Sequence, residues 1–450
     1  MKPDSDSPVP TTDQLRWQGW GFGVFFHVGI NTFADVEWSD GSLSPALFDP
    51  PALDARAWVA EAASAGARYV VLTAKHHDGF CLWPTATTDY SVAASPWRGG
   101  AGDLVREVAD ACAEAGVRFG VYLSPWDRHE PSYGDPAAYD AFYERQLTEL
   151  CSHYGELAEI WLDGAGSAGR TYDWARYLAV IDRLQPHAMV FNMGRPTIRW
   201  AGNEGGIVDE PVEYVVNSTS DSQYTDSATS LDATLLRGAA YLPPECDVSI
   251  RRKWFHSPSD EPKTPEHLLA IWYRSVGRGA NLLLNVPPTP GGALDAADVA
   301  ALRAFAVERD RRFGPGVPCE LECSTAVDGS VRVRAKWPAS STCAGSVRHV
   351  ELIERLQDGQ RIGRHDVVAG GRVVAHGSTV GARRIHLVGP IPADVVLTEG
   401  LEVRLDDGEL EAVVLHAGDA SMRVPDLPPG YEAPTETPDE LAARAGRPRG

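Results

Sequence analysis

Two hydrophobic rhythms run along this chain, and one replaces the other near Cys319. In the first part, short apolar runs alternate with stretches of helical period. Gly21-Phe22-Gly23-Val24-Phe25-Phe26, Tyr69-Val70-Val71-Leu72-Thr73, Phe119-Gly120-Val121-Tyr122-Leu123, Glu159-Ile160-Trp161-Leu162, Met189-Val190-Phe191 and Asn281-Leu282-Leu283-Leu284 read as strands buried on both faces. Between them, Leu104, Val105, Val108, Ala109 and Cys112 fall on one face of a helix. Further helices are expected over 53–65, 137–154, 174–184, 265–276 and 296–310. Strands alternating with helices predict a parallel sheet. Six such units over the first 310 or so residues predict an α/β fold, a (β/α)8-like TIM barrel, since one barrel takes about 250 residues and tolerates insertions. Residues 197–262 break the rhythm with prolines and short strand-like pieces. They are expected to form insertion loops over the barrel mouth, with degraded units beneath.

After Cys319 the period becomes two. Val331, Val333, Ala335 and Trp337 alternate with polar residues, as do Leu401, Val403 and Leu405. Asp358-Gly359 and Asp407-Gly408 supply turns. The pattern predicts an all-β sandwich module. The expected organisation is a disordered lead over 1–13, a barrel over 14–315, a β-sandwich over 316–424 and a disordered tail over 425–450, with a short helix near Glu440.

Composition narrows the partners. The chain has 41 basic and 62 acidic residues among 450, a formal charge of −21. Nucleic acid and anionic membrane surfaces are thereby disfavoured, because both need a basic face. An uncharged or cationic substrate fits. The stretch from Met1 to Gln14 has no apolar core, so it does not read as a secretory signal, and no run is long enough to span a bilayer. A cytoplasmic location is the expectation, and the sequence leaves open whether a leader was removed. Seven cysteines without paired metal-type spacing are expected to be reduced thiols. The oligomeric state is not legible.

The chemistry lies where the apolar runs stop. His27, then His76 and His77, then Trp126 and Asp127, then Asp163, then Arg195 each follow a strand. In a parallel barrel those ends open onto one mouth. Taken alone, Asp163 reads more readily as the cap of a turn. Metal spacings such as His-X-His, Cys-X-X-Cys and His-Glu-X-X-His are absent, and neighbours such as His76 and His77 on an extended strand point to opposite sides. No metal or cofactor is expected. A Gly-X-Ser-X-Gly elbow and a Gly-rich phosphate loop are also missing. A mouth rich in His, Trp and carboxylate suits a neutral sugar, whose apolar face packs on rings while its hydroxyls bond to polar groups. Sugar hydrolysis needs two carboxyl groups. Asp163 is one candidate. Glu204, between glycines in Ile198-Arg199-Trp200-Ala201-Gly202-Asn203-Glu204-Gly205-Gly206, is the other.

These segments resemble a known family. Lys75-His76-His77-Asp78-Gly79-Phe80, Tyr122-Leu123-Ser124-Pro125-Trp126-Asp127 and Trp161-Leu162-Asp163-Gly164 are similar to signature segments of glycoside hydrolase family 29, the retaining α-L-fucosidases. His27-Val28-Gly29-Ile30-Asn31-Thr32-Phe33, Glu37-Trp38, Glu245-Cys246-Asp247-Val248-Ser249-Ile250-Arg251 and Asn281 to Pro288 resemble it too. The resemblance implies that Asp163 is the nucleophile. It implies that Glu204 is the acid/base of the branch specific for α-1,3 and α-1,4 linkages. It implies that His27, Glu37, Trp38, His76, His77, Tyr122, Trp161 and Trp254 line a fucose pocket, and that the partner is a fucosylated glycan. Arg252-Lys253, where the family carries Pro-Gly, and Val28, often aromatic there, depart from the pattern. Broader fucosidase specificity, a non-catalytic fucose-binding barrel and a metal-dependent barrel enzyme are the other readings.

Overall fold

The computed structural model describes residues 7–166, 170–217, 238–314, 316–326, 329–338, 345–419, 421–429 and 431. Its first part is built on strands β1 (Phe22–Phe26), β2 (Tyr69–Lys75), β3 (Arg118–Leu123), β4 (Glu159–Trp161), β5 (Met189–Phe191), β6 (Arg199–Trp200), β7 (Val215–Asn217), β8 (Ala239–Tyr241), β9 (Pro244–Ser249) and β10 (Asn281–Asn285). Eight of these form one sheet in the order β5-β4-β3-β2-β1-β10-β9-β6, with parallel pairings throughout. The ends β5 and β6 meet through the single parallel bridge Phe191–Ile198. The sheet is therefore a nearly closed TIM-like barrel with a seam between β5 and β6. Strands β7 and β8 form a separate antiparallel ribbon.

The helices Ala55–Ser64, Leu104–Ala115, Pro136–His153, Trp174–Leu184, Pro265–Arg274 and Ala296–Phe313 lie where the periodicity puts them. Each is preceded by a capping side chain that accepts a backbone N–H: Asp54, Asp103, Asp135, Asp173, Thr264 and Asp295. No helix occurs among the described residues of the β5–β6 and β6–β9 intervals. The irregular segment thus does hold barrel strands, β6 and β9, as the expectation of degraded units required. Inside the barrel, Phe25, Tyr69, Val71, Tyr122, Trp161, Phe191 and Leu283 pack together, with Trp17 among them. Gly23 is needed here, because a Cβ would lie 2.5 Å from the Tyr69 ring.

The C-terminal module stacks two antiparallel sheets on a common core that includes Val333, Val350, Val367, Val403 and Val413. One sheet joins β11 (Val317–Pro318), β14 (Ser346–Glu354), β17 (Arg384–Pro392) and β19 (Leu410–Gly418). The other joins β12 (Glu320–Thr325), β13 (Val331–Lys336), β15 (His365–Ala369), β16 (Arg372–Gly377) and β18 (Leu401–Leu405).

Order reaches into both expected disordered ends. Thr11 and Gln14 form a capping box that starts the helix Thr12–Gln18, inside the expected lead. At the other end, Leu427, inside the expected tail, packs its apolar side chain on the barrel core. The expected helix near Glu440 lies outside the described residues.

Candidate active site

Asp163 leaves β4 at the mouth of the barrel. Tyr122, on the neighbouring β3, donates its hydroxyl to Asp163 Oδ2 at 2.8 Å. The Ala165 backbone N–H donates to Oδ1 at 2.8 Å, so the same turn that an Asp cap makes is present. His77 Nε2 is 3.5 Å from Oδ2. Hydrogen bonds to an ionised carboxylate favour its charged form, and three donor-capable groups converge here.

His76 and His77 both enter the pocket, contrary to the expectation that they face opposite sides. The strand ends at Lys75, and a turn closes with Gly79 N–H donating to His76 O at 3.0 Å, so the extended rule no longer applies. The two rings are 4.1 Å apart. His76 stacks on Tyr122 at 5.7 Å and meets the edge of Phe255. His77 Nδ1 is 2.7 Å from Ser124 Oγ. His27 Nδ1 and its backbone N–H both point to Asn285 Oδ1, at 3.1 and 3.0 Å. Burial, with His76 as a neighbour, pushes the His27 pKa well down. Burial, with His77 as a neighbour, does the same for His76. Both rings are therefore neutral at ordinary pH, able to accept or donate to hydroxyl groups.

Aromatic side chains complete the walls. Trp38 meets His77 and Trp126 edge-on at 5.4 and 5.6 Å. Trp254 lies 4.8 Å from His27. Trp161 stacks on Phe191 at 3.8 Å and donates its indole N–H to Glu245 Oε1 at 3.1 Å. Glu37 Oε1 accepts the Trp254 backbone N–H at 2.9 Å, tying the loop after β1 to the loop after β9. Asn285 Nδ2 donates to Trp254 O at 2.8 Å and to Ser249 Oγ at 2.9 Å. Arg252 and Lys253 do not displace Trp254. Their backbone N–H groups both donate to Asp260 Oδ2, at 2.7 and 2.9 Å.

Glu204 sits on the loop Ala201–Gly206, which is fastened at both ends to β9. Ala201 N–H donates to Glu245 O at 2.9 Å, and Gly206 N–H donates to Asp247 O at 3.2 Å. Gly206 has φ +69°, and a Cβ there would press within 3 Å of Val248 and Ile271. Asn203 stiffens the turn by accepting from Gly205 N–H and donating to Ile207 O, each at 3.0 Å. Glu204 is half-buried, with Oε2 closed off from solvent. Burial pushes its pKa well up, and the charges of Asp247, Asp163 and Glu37 push the same way, against a hydrogen bond from Trp254. Glu204 thus keeps a proton where a free glutamate has lost it. Acid-assisted displacement at an acetal carbon requires two carboxyl groups, one of which holds a proton to give to the leaving oxygen.

Three groups that matter here escape sequence reasoning. Asp247 accepts the Trp200 indole N–H at 2.7 Å and is itself raised well above the usual range by burial beside Glu245. Glu245, pushed up to about 7 by burial, accepts from Tyr69 at 2.6 Å and lies against Glu159. Their spacing of two, Glu245-X-Asp247, was the available signal for one face of a strand. Ser124 is the third. Two residues expected at the mouth are elsewhere. Arg195 pairs with Asp182 on the surface at 2.6 Å, and Asp127 turns beneath to the buried Lys75 at 2.9 Å.

A parallel barrel that gathers two carboxyl groups, three histidines and several tryptophans at one mouth is of the glycoside hydrolase type. A family profile described as Alpha-L-fucosidase matches residues 31–307. The chain belongs to that family, glycoside hydrolase family 29. It is 43% identical over 315 residues to "Alpha-L-fucosidase 1" of Arabidopsis thaliana, covering 68% of this chain and 61% of that one. It therefore spans less than two thirds of that relative's length. Among solved structures it is similar to SpGH29, at 33% identity with a TM-score of 0.78, covering 93% of this chain and 98% of that one. It is also similar to a Ruminococcus gnavus family 29 fucosidase in complex with fucose, at 26% identity with a TM-score of 0.77, covering 93% and 97%.

Proposed function

We propose that this protein is a retaining exo-α-L-fucosidase that releases terminal fucose from glycans, with Asp163 as nucleophile and Glu204 as acid/base. The observation that carries the reading is the contrast between the two acids: Asp163 accepts from Tyr122 and from the Ala165 N–H, while Glu204 is half-buried and raised in pKa. In the first step a carboxylate oxygen of Asp163 attacks the anomeric carbon of fucose. The glycosidic bond breaks, its electron pair goes to the leaving oxygen, and Glu204 gives that oxygen its proton. The product is a fucosyl ester of Asp163. In the second step Glu204, now ionised, takes a proton from water, whose oxygen attacks the same carbon and releases Asp163. Two inversions retain configuration. His27, Glu37, Trp38, His76, His77, Tyr122, Trp161 and Trp254 bind the sugar in this reading. A purely fucose-binding barrel has no use for two carboxyl groups of opposite protonation.

The linkage reading is α-1,3 and α-1,4, and it rests on the resemblance of Arg199-Trp200-X-Gly202-Asn203-Glu204-X-Gly206 to that branch. Galactose on the same GlcNAc is expected to raise the rate, through contacts remote from the broken bond. One experiment tests the proposal. The protein is incubated with a Lewis-type trisaccharide and with an α-1,2-linked fucosyl galactoside, and the anomer of fucose first released is read by NMR. Release of the α-anomer, faster from the Lewis-type substrate, is expected. Release of the β-anomer would overturn retention, faster cleavage of the α-1,2 substrate would overturn the linkage reading, and no release would overturn the activity.

A further inference from the structure

The loop carrying Glu204 lies on the least supported part of the barrel. Strand β6, which leads into it, has two residues and pairs along its length with β9 alone. No helix among the described residues covers the β6–β9 interval. The C-terminal module stands there instead, and it grips the chain just downstream of the loop.

Downstream of Glu204, Gln360 makes a reciprocal pair of bonds: its Nε2 donates to Val212 O and its Oε1 accepts from Tyr214 N–H, each at 2.9 Å. The Val212 N–H donates to Thr379 Oγ1 at 3.2 Å, and the Ala382 N–H donates to Tyr214 Oη at 2.9 Å. Glu210 forms an ion pair with Arg384 of the module. At Glu204 itself the contact comes from the chain that follows the module. That chain crosses the barrel helix Pro265–Arg274, where Arg274 donates to Pro425 O at 3.1 Å and His267 meets the Tyr431 ring edge-on at 4.5 Å. At its last described residue, Tyr431 Oη donates to Gly205 O at 2.9 Å, one residue past the acid. Burial raises the Tyr431 pKa, so the phenol remains a donor through the working range.

We propose that the C-terminal module and the strap ending in Tyr431 brace the acid loop, with Gln360 and Tyr431 as positioning residues for Glu204. The proposal rests on the reading of Glu204 as proton donor. A donor must lie within a few tenths of an ångström of its acceptor to protonate it in the transition state. A six-residue loop on a two-residue strand does not hold that tolerance unaided. The module supplies the support that a barrel helix supplies elsewhere. The groups facing Glu204 are Asp247 on β9, Asp163 after β4, Glu37 and Trp254. Tyr431 and Gln360 act on the backbone that presents it to them.

The test is leaving-group dependence in the full-length chain. Tyr431→Phe, Gln360→Ala, their double variant and Glu204→Ala are assayed on 2,4-dinitrophenyl α-L-fucoside, which needs little acid, and on methyl α-L-fucoside, which needs much. Arg355→Ala is the control, since it removes an exposed ion pair with Glu409 that includes none of the bracing groups. Each brace variant is expected to lose about fivefold in kcat on the methyl glycoside, the double variant more, with KM unchanged and the dinitrophenyl rate within about twofold. Equal losses on both substrates, or none on either, would overturn the brace. If Gln360→Ala fails to fold, the isosteric Tyr431→Phe decides alone. Glu204→Ala separates the two readings. A selective loss there with no selectivity in Tyr431→Phe overturns the brace only, whereas equal deficits in Glu204→Ala overturn the proton-donor reading and the brace with it.

Discussion

Ser124 Oγ lies 2.7 Å from His77 Nδ1 and gives its own proton to the Trp126 carbonyl, also at 2.7 Å. A hydroxyl has one proton, so Ser124 accepts from His77, and the proton of a neutral His77 sits on Nδ1. Its Nε2 then faces Asp163 as an acceptor when neutral and as a donor when charged. Ser124→Ala frees the ring to take either tautomer. Its kcat/KM on an aryl fucoside is expected to fall about three- to tenfold, the worth of one ordered hydrogen bond. An unchanged kcat/KM would show that the tautomer is fixed some other way.

On the proposed mechanism, Asp163→Ala removes the covalent route. Turnover is expected to drop by about three orders of magnitude or more, because one difficult step is no longer split into two. The fold is expected to persist, since the Asp163 side chain is partly open to solvent. Azide occupies the vacated position and restores part of the rate on an aryl fucoside, giving a fucosyl azide. Near-normal turnover without azide would remove Asp163 from its role.

Asp247→Asn keeps the acceptor for Trp200 and removes the negative charge that Asp247, itself raised by burial, places beside Glu204 once it ionises. The sign follows from electrostatics. A neighbouring negative charge disfavours ionisation of Glu204, so deleting it lets the acid lose its proton at lower pH. The alkaline limb of the pH profile for kcat/KM is expected to move toward acid, most visibly on a poor leaving group. A limb that stays in place, or moves toward alkali, would mean that burial alone raises Glu204.

Metal independence is the fourth expectation. The two-carboxylate route needs no Lewis acid. Dialysis against a strong chelator is expected to leave the rate intact. Loss of activity restored by one divalent ion would move the site into a different class of chemistry.

The barrel was legible where strands are apolar on both faces. Phe22–Phe26, Tyr69–Lys75 and Asn281–Asn285 are buried throughout, and their runs show it. Strand β9 is equally buried but carries Glu245 and Asp247, which pair with Tyr69, Trp161 and Trp200 instead of packing. A hydrophobic pattern has no way to register such a strand, and β6 is too short to leave one. The same limit applies at the mouth. Strand ends told which residues stand near the pocket, and they did so for His27, His77 and Asp163. They did not tell where a side chain turns, so Asp127, which bends under to Lys75, looked like Asp163. Asn285 and Asp247 act through partners distant in sequence, between 31 and 258 residues away for Asn285, and Ser124 meets His77 across 47 residues.

The seam between β5 and β6 divides the chemistry of the molecule in a way that amide hydrogen exchange can register. Strand β4, with Asp163 behind it, is paired on both flanks, whereas β6 is paired along one. Opening of β6 and its loop therefore costs less than global unfolding. On the proposed roles, a molecule opened in this way retains its spectroscopic signature and the nucleophile Asp163 and lacks only the acid Glu204. Warmed or mildly denatured samples will accordingly stop cleaving glycans while they still react with activated aryl fucosides. Amides of the loop after β6 will exchange ahead of those in β4 over the same interval.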